Sequence, residues 1–231
     1  MQANMDSDRM STQPATVEFQ ACRVVTEGGI WNLIRPLERV ASLLLLVLLS
    51  PAMLLAAAAI GVLSRRSPLV AHRRIGQFGV PFWTLKFRTM WGEAAGVGRA
   101  GFIEYIVDDC GPEYKRSADP RVSSAFARFC RQFSIDELPQ LANVLRGEMS
   151  LVGPRPLTEG ELKKHYATDA AETLLVKPGI TGLWQVMGRS HLSLDRRREL
   201  DLFLVRNRSL RLYLTILMRT IPAVLRGKDG W

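Results

Sequence analysis

The sequence predicts a mainly helical α+β protein held on a membrane, and three observations carry that expectation. From Val40 to Ser64 no residue is charged, and Leu, Val and Ala dominate. Between Leu69 and Met90 two extended runs flank a glycine turn, which predicts a small β-hairpin element. From Leu194 to Trp231 cations interrupt apolar runs in the manner of interfacial amphipathic helices. The expected organisation is a disordered tail over 1–30, a membrane-inserted helix–break–helix over 31–66, and a folded domain over 67–231 ending in the basic amphipathic segment.

The first 30 residues are polar, mixed in charge and without a sustained period, which predicts a loosely attached tail. The apolar run comes too late for a secretory signal and lacks a small-residue cleavage pattern. It is long enough to cross a bilayer, for which about 20 residues suffice. Ser50-Pro51 lies in its middle, where proline removes a backbone donor and favours a kink. The Ser50 hydroxyl is placed to satisfy a carbonyl that Pro51 frees. Arg35 and Arg39 precede the run, and Arg65, Arg66, Arg73 and Arg74 follow it. Positive flanks mark the cytoplasmic side. A re-entrant helix that breaks at Ser50-Pro51 and returns satisfies both clusters; a kinked spanning helix is the alternative. A buried core helix fits less well, because no polar stripe is present.

Gly76 to Gly79 forms the hairpin turn. In the second extended run Trp83, Leu85 and Phe87 alternate with Thr84, Lys86 and Arg88. Period two puts Lys86 and Arg88 on one face, about 7 Å apart, a spacing suited to two successive phosphates. The alternative is an edge strand kept soluble by its cations. Residues 91–118 are rich in Gly and acids and read as a flexible loop. Asp119-Pro-Arg121 then leads into a short helix, Phe126–Arg131, carrying Arg128 and Arg131 toward the next segment.

That segment holds the densest chemistry. Leu138, Leu141, Val144 and Leu145 recur at helical spacing, and Gly147 sits where the helix stops. The start has two registers. Ser134 and Glu137 have the spacing of a capping box, whereas Asp136 as cap brings Pro139 into the first turn. Both put Asp136 and Glu137 at the positive end of the helix, where acids are favoured by the dipole alone. Downstream, Gly153-Pro154-Arg155-Pro156 holds one guanidinium between two residues of fixed φ and extends it. An acid pair beside a preorganised arginine suits phosphoryl chemistry, with a carboxylate as nucleophile or metal ligand. Leu157–Leu175 then reads as a solvated helix with Glu159, Glu161, Lys163 and Lys164 on its outer face. Lys177–Arg189 is studded with glycine around an exposed-looking Trp184; it either closes over a ligand or packs as a loop.

The 231 residues suffice for one sizeable core, and the net charge of +9 points to an anionic partner: nucleic acid, phosphorylated substrate or acidic lipid. Cys22, Cys110 and Cys130 have no metal-ligand spacing and leave an odd thiol, which argues for a reducing compartment. His72, His165 and His191 are equally scattered, so no zinc site or catalytic triad is legible.

Taken together, these segments resemble the bacterial sugar transferase family, the monotopic polyprenyl-phosphate phosphoglycosyl transferases, in its compact form. The resemblance runs from about Arg35 to Trp231. It rests on Arg74-Ile-Gly76, Lys86-Phe-Arg-Thr-Met90, Asp119-Pro-Arg121, Asp136-Glu-Leu-Pro-Gln140, Asn143-Val-Leu-Arg-Gly147, Ser150-Leu-Val-Gly-Pro-Arg-Pro156 and Lys177-Pro-Gly-Ile-Thr-Gly-Leu183, in family order. Two stretches depart from the pattern. The family often opens its membrane element with Lys-Arg-x-x-Asp, where this chain has Arg35-Pro-Leu-Glu-Arg39. It more often shows an aromatic after the asparagine of Val205-Arg-Asn-Arg-Ser-Leu210, where this chain has Arg208.

The resemblance implies a re-entrant membrane helix and a cytoplasmic catalytic domain at the bacterial inner membrane. It implies transfer of sugar-1-phosphate from a UDP-sugar to undecaprenyl phosphate, releasing UMP, at the start of exopolysaccharide, capsule or other surface-glycan assembly. Asp136 matches the aspartate that forms a phosphosugar intermediate. Glu137 matches the second acid, associated with Mg2+, and both acids are candidate metal ligands. Lys86, Arg88, Arg128, Arg146, Pro154, Arg155 and Pro156 are the expected substrate-binding positions. Inner-membrane lipid is an expected partner and nucleic acid is not; a homo-oligomer stays open. Two other classes fit the sequence less well. A membrane scaffold binding acidic lipid or nucleic acid leaves the acid pair without purpose. A two-carboxylate glycosidase needs acids facing one another across a sugar, at least about 5 Å apart, which sequence neighbours at a helix entrance do not provide.

Overall fold

The first helix, α1 (Ile30–Ser64), runs for 35 residues through Pro36 and Pro51 without interruption. The structure, a computed structural model, describes residues 29–90, 102–106, 124–188 and 191–227. The expectations for the tail before residue 29, for Asp119-Pro-Arg121, for Cys22 and Cys110, and for Arg189 and Lys228–Trp231 lie outside the described residues. The expected gap between two helices at Ser50-Pro51 is corrected: α1 is one element. The Ser50 hydroxyl donates to the Val47 carbonyl at 2.8 Å. Val47 is four residues before Pro51, so its carbonyl is the one that loses an amide partner. The ladder is repaired locally and the helix does not unwind.

One stripe of α1 faces the protein along its length: Trp31, Ile34, Glu38 and Ser42, then Ala56, Ala57 and Ile60, are buried. The opposite face is apolar and open, with Leu44, Val47, Leu48, Leu54 and Leu55 between 64% and 73% exposed. Both ends of the helix pack on the folded domain. Trp31 and Ile34 enter a core built with Leu200, Leu204, Tyr213 and Ile216. Ala56, Ala57 and Ile60 pack on Phe87, with Phe126 and Ile135 alongside.

Glu38 fastens the first half. Its carboxylate accepts from the Ser150 hydroxyl at 2.5 Å, the Leu151 amide at 2.8 Å and the Tyr213 hydroxyl at 2.7 Å. The longer acid thus serves as the anchor at the position where the family often has aspartate. Arg208 has an equally definite role: its guanidinium lies 3.8 Å from the centroid of the Trp31 ring, a cation–π contact in place of an aromatic one.

The hairpin forms as expected, with β1 (Leu69–Ile75) antiparallel to β2 (Pro81–Phe87) around a 3-10 turn at Gln77–Gly79. A third strand, β3 (Ile103–Ile106), pairs parallel to β1 and gives the order β2-β1-β3. This corrects the loop expectation for that part of 91–118; residues 91–101 and 107–118 lie outside the described residues. After α2 (Ala125–Gln132), capped by the Ser124 hydroxyl, the acid-bearing segment splits into a 3-10 helix, Ile135–Gln140, and α3 (Leu141–Arg146). Gly147 closes α3 at φ 81°, as the sequence predicts. Neither expected cap forms at the start: Ser134 is left-handed at φ 55° and makes no side-chain cap bond. Pro139, which cannot donate, is carried inside the tighter 3-10 turn.

The parallel pair β4 (Ser150–Val152) and β5 (Gly179–Thr181) brings two glycine-rich loops together. A Cβ on Gly153 would sit 2.7 Å from the Gly179 nitrogen, so the loops touch backbone to backbone. The described part of the Lys177–Arg189 segment packs against the Gly153 loop through β5 and carries Gly179, Ile180 and Gln185 to a pocket. Between the two strands the single solvated helix is corrected to three short pieces: α4 (Glu159–Glu161), a π-helical turn at Leu162–Tyr166, and α5 (Ala170–Thr173). The capping box appears here, between Thr158 and Glu161. Glu161 turns inward to Arg74 at 3.3 Å instead of lying on an outer face.

Three helices close the fold: α6 (Leu183–Met187), α7 (Leu194–Arg206) and α8 (Leu210–Leu225). Trp184, expected to be exposed, is 1% exposed in the main core beneath Arg197. On α8, Tyr213 and Ile216 face the core. Leu210, Leu214, Met218, Ile221 and Leu225 form an outward apolar stripe at helical spacing. The solvent-facing Arg211 and Arg219 flank it. This is the amphipathic pattern of a helix lying in an interface.

Candidate active site

The acid pair reaches its position through the edge of the hairpin sheet. With order β2-β1-β3, β2 has one edge without a strand partner. Buried Asn143 of α3 covers it, accepting from the Leu85 amide at 3.1 Å and donating to the Trp83 carbonyl at 2.7 Å. An edge that would otherwise invite pairing thereby docks the 3-10 helix carrying Asp136 and Glu137 beside Lys86. The Lys86 ammonium donates to Glu137 at 3.0 Å, with both side chains largely buried.

Glu137 and Lys86 share a pocket with Arg74, Thr84, Gln140, Arg155, Pro156 and Gln185. Arg74, Lys86 and Arg155 give it a cationic wall. Arg155 sits between buried Pro154 and Pro156, and the Pro154 carbonyl is pinned by the Gly179 amide at 2.8 Å. The cations are felt by Glu161: burial alone would raise its pKa, but Arg155 and then Arg74 hold it below the usual range. Asp136 is only 4% exposed and lies on the side of α2. There the buried Cys130 thiol is pushed up to about 11, by burial first and by the Asp136 charge second. A concavity of about 550 Å³ at the end of α1, lined from Gly61 to Pro68 and by Phe102, contains neither acid.

Of the expected site residues, the structure gathers Glu137, Lys86, Arg155 and Pro156 in one pocket, with Asp136 next to them. It places the others elsewhere. Arg128 and Arg146 are exposed and do not line the pocket. Arg88 is buried at the far end of β2, donating to the Ser67 carbonyl at 2.8 Å and paired with Glu104 of β3. Lys86 and Arg88 therefore do not share one pocket: Lys86 lines it with Arg74 and Arg155, whereas β2 ends at Phe87 and Arg88 turns back to clasp the sheet. Thr84, Gln140 and Gln185 were not singled out from sequence. Thr84 was within reach: the register Val70↔Lys86, His72↔Thr84, Arg74↔Phe82 puts Arg74, Thr84 and Lys86 on one sheet face.

This division has a measurable consequence. Lys86→Gln, which keeps a donor for Glu137 without the charge, is expected to lower turnover at least about tenfold with little change in melting temperature. Arg88→Ala should cost about 3 kcal/mol of stability, since it removes a buried guanidinium that holds the half-buried Glu104 and the Ser67 carbonyl. Equal stability losses in both variants would refute the division.

Behind Arg155, Asp201 is fully buried and accepts from the Tyr166 hydroxyl at 2.9 Å. Burial raises Asp201 to about 7 from an ordinary value of 3.8, against the opposing pull of Tyr166 and Arg155. Between those values the folded chain keeps a proton that the unfolded chain has released. Stability should therefore fall as pH rises through that window and level off above about 7. Asp201→Asn should flatten this part of the pH–stability curve, measured by chemical denaturation.

Two adjacent acids, one paired to a lysine, thus lie beside a pocket whose cations suit an anionic ligand, near a helix with an open apolar face. Comparison with known proteins gives the class. The model of the bacterial sugar transferase family matches residues 31–227. The exopolysaccharide production protein ExoY of Rhizobium meliloti (strain 1021) is 42% identical over 227 residues, spanning 96% of this chain and 98% of that protein. The UDP-glucose:undecaprenyl-phosphate glucose-1-phosphate transferase of Caulobacter vibrioides is 38% identical over 206 residues, 85% of this chain and 71% of the relative. The undecaprenyl-phosphate galactose phosphotransferase of Salmonella typhimurium is 41% identical over 168 residues, 70% of this chain but only 34% of that longer protein. With its family model matched from Trp31 to Gly227, the chain belongs to the bacterial sugar transferases and is a phosphoglycosyl transferase.

Proposed function

We propose that this chain transfers sugar-1-phosphate from a UDP-sugar to undecaprenyl phosphate through a covalent intermediate on Asp136, initiating exopolysaccharide or another surface glycan. The carrying observation is Glu137 set in the Arg74–Lys86–Arg155 wall, with its neighbour Asp136 shielded from solvent. In the first step an Asp136 carboxylate oxygen attacks the sugar-side phosphorus, the bond to the UMP oxygen breaks, and UMP leaves with the electron pair. In the second, an oxygen of the acceptor phosphate attacks the same phosphorus and Asp136 leaves as a carboxylate. Charge balances in both steps without a proton. The cationic wall offsets repulsion between the anionic donor and the carboxylate. At 4% exposure, Asp136 would hold an acyl phosphate away from water.

The donor set also suits Mg2+, which binds through one or two carboxylates with substrate phosphates and water completing its shell. Asp136 and Glu137 are the residues that would hold it, and it would neutralise charge on the diphosphate. Among the described residues no third His, Cys, Asp or Glu joins them.

The arrangement proposed for α1 is re-entrant in the inner membrane, with the domain in the cytoplasm. Its support is that both ends of the helix pack on one folded domain, while its middle is apolar and open. A spanning helix would draw part of that domain into the bilayer. Accessible-cysteine labelling should find both ends of the chain on the cytoplasmic side; an outward N-terminus would sink the arrangement. For the reaction, washed membranes carrying the protein should release UMP from a UDP-sugar in a panel of donors. No UMP from any donor would refute the proposal.

A further inference from the structure

Arg74 and Arg155 come from different elements and meet in one wall of the cationic pocket. Their backbones are tied together: the Ile75 amide donates to the Leu157 carbonyl at 2.9 Å, an isolated bridge just beyond each arginine. A backbone tie does not fix two long side chains of like charge, and an arginine keeps much rotamer freedom until its fork is engaged. Glu161 supplies a fixed partner. Its Oε2 accepts from Arg74 Nη1 at 3.3 Å and from the Thr158 amide at 2.8 Å, while the Thr158 hydroxyl accepts from the Glu161 amide at 3.0 Å. The capping box thus locks the rotamer of the carboxylate that meets Arg74. Arg155 acts on the same group. Burial is the strongest influence on Glu161 and pushes its pKa up, yet Arg155 and then Arg74 hold it below the usual carboxylate range. Glu161 lines a chamber with Tyr166, Trp184 and Asp201, and Arg155 borders both that chamber and the cationic pocket. The carboxylate therefore meets the wall from behind.

We infer that Glu161 is a positioning residue of the transfer reaction, holding the Arg74 and Arg155 guanidinia in the wall that receives the donor diphosphate without touching the donor itself. The inference rests on the transferase reading above and adds the residue that preorganises the wall. Two guanidinia brought together without an anion repel one another. A fixed carboxylate behind them offsets that repulsion before the donor arrives, so the diphosphate meets hydrogen-bond donors already in place. Being acidic and in the same turn is not enough for this role. Glu159, two residues earlier, is exposed and paired with Lys163 at 2.7 Å.

The test uses the full chain in lipid nanodiscs and follows the burst of UMP with UDP-sugar alone in Glu161→Ala, Glu161→Gln and Glu159→Ala. Glutamine serves a capping box as glutamate does, so Glu161→Gln keeps the turn and removes the charge beside the arginines. The donor concentration at half-maximal burst rate should rise about tenfold or more in Glu161→Ala and about threefold or more in Glu161→Gln. Burst amplitude should stay at about one UMP per active enzyme, and Glu161→Gln should melt with wild type. Glu159→Ala removes the same charge from the same turn and should leave the donor constant unchanged. Adding Arg74→Ala to Glu161→Ala should raise the constant by less than the product of the two single effects, because the carboxylate acts through the arginine. A wild-type donor constant in Glu161→Gln would reduce Glu161 to a helix cap. A lowered constant would show that it merely dilutes the charge of the wall, and a fully multiplicative double variant would detach it from Arg74. Each of these three results overturns the inference and leaves the transferase reading standing. Absence of the burst in the unmodified protein overturns that reading, and the inference with it. Should Glu161→Ala fail to fold, Glu161→Gln carries the comparison, alone and combined with Arg74→Ala.

Discussion

Asp136→Asn is expected to abolish both UMP release and the covalent adduct, with turnover down by roughly a thousandfold or more. The amide keeps the shape of the side chain and loses the charged oxygen that attacks phosphorus. In the unmodified protein, donor without acceptor should release about one UMP per active enzyme and then stop. A quenched sample should carry a sugar-phosphate mass on the peptide containing Asp136, and steady-state kinetics should be ping-pong. The competing account has Asp136 only as a metal ligand or helix-entrance acid, with the acceptor attacking the donor directly. It predicts no adduct, UMP only when acceptor is present, and intersecting double-reciprocal lines. Glu137→Gln separates the two acids further. It breaks the 3.0 Å pair with Lys86 and should slow turnover while leaving some labelling at Asp136.

What the sequence made legible was whatever one element decides by itself. The hairpin followed from period two and a glycine turn, the stop of α3 from Gly147, and the Ser50–Val47 bond from the position of Pro51. What it hid was decided between elements. Arg88 and Lys86 are equivalent in a strand pattern, and only the end of β2 and the arrival of β3 separate them. Trp184 follows a glycine-rich loop and reads as exposed, yet the backbone contact of Gly153 with Gly179 turns that loop inward and buries the ring. Leu157–Leu175 has helical composition, but the turn of Glu161 toward Arg74 and of Tyr166 toward Asp201 divides it into pieces. Asn143 carries no chemistry in a motif scan and yet seats the acid pair, because the unpartnered edge it covers exists only once the strand order is known.

The largest stability effect outside the reacting groups is expected from Glu38→Ala. The carboxylate is 6% exposed and is the shared acceptor for Ser150, Leu151 and Tyr213, which belong to β4 and α8. It is also the negative charge within a cationic cluster. The pKa of Lys177 is pulled down by burial and then by Arg35 and Arg39, with Glu38 opposing. Arg208 is lowered by burial and then by Arg35, again with Glu38 opposing. Removing Glu38 strands three donors and leaves the surrounding cations to repel one another. Losing a buried charged acceptor and leaving its donors unsatisfied costs about 3–5 kcal/mol. For a chain of this size that corresponds to a melting temperature lower by roughly 10 °C, measured in nanodiscs. Glu38→Gln keeps an oxygen for Leu151 and Tyr213 and drops the charge, so it should fall between wild type and alanine, with the gap to wild type narrowing at high salt. The first half of α1 should loosen in step, seen as faster amide exchange from Trp31 to Ser42. A Glu38→Ala protein that melts with wild type, with unchanged exchange in α1, would show that the Trp31–Tyr213 core alone holds the membrane helix to the domain.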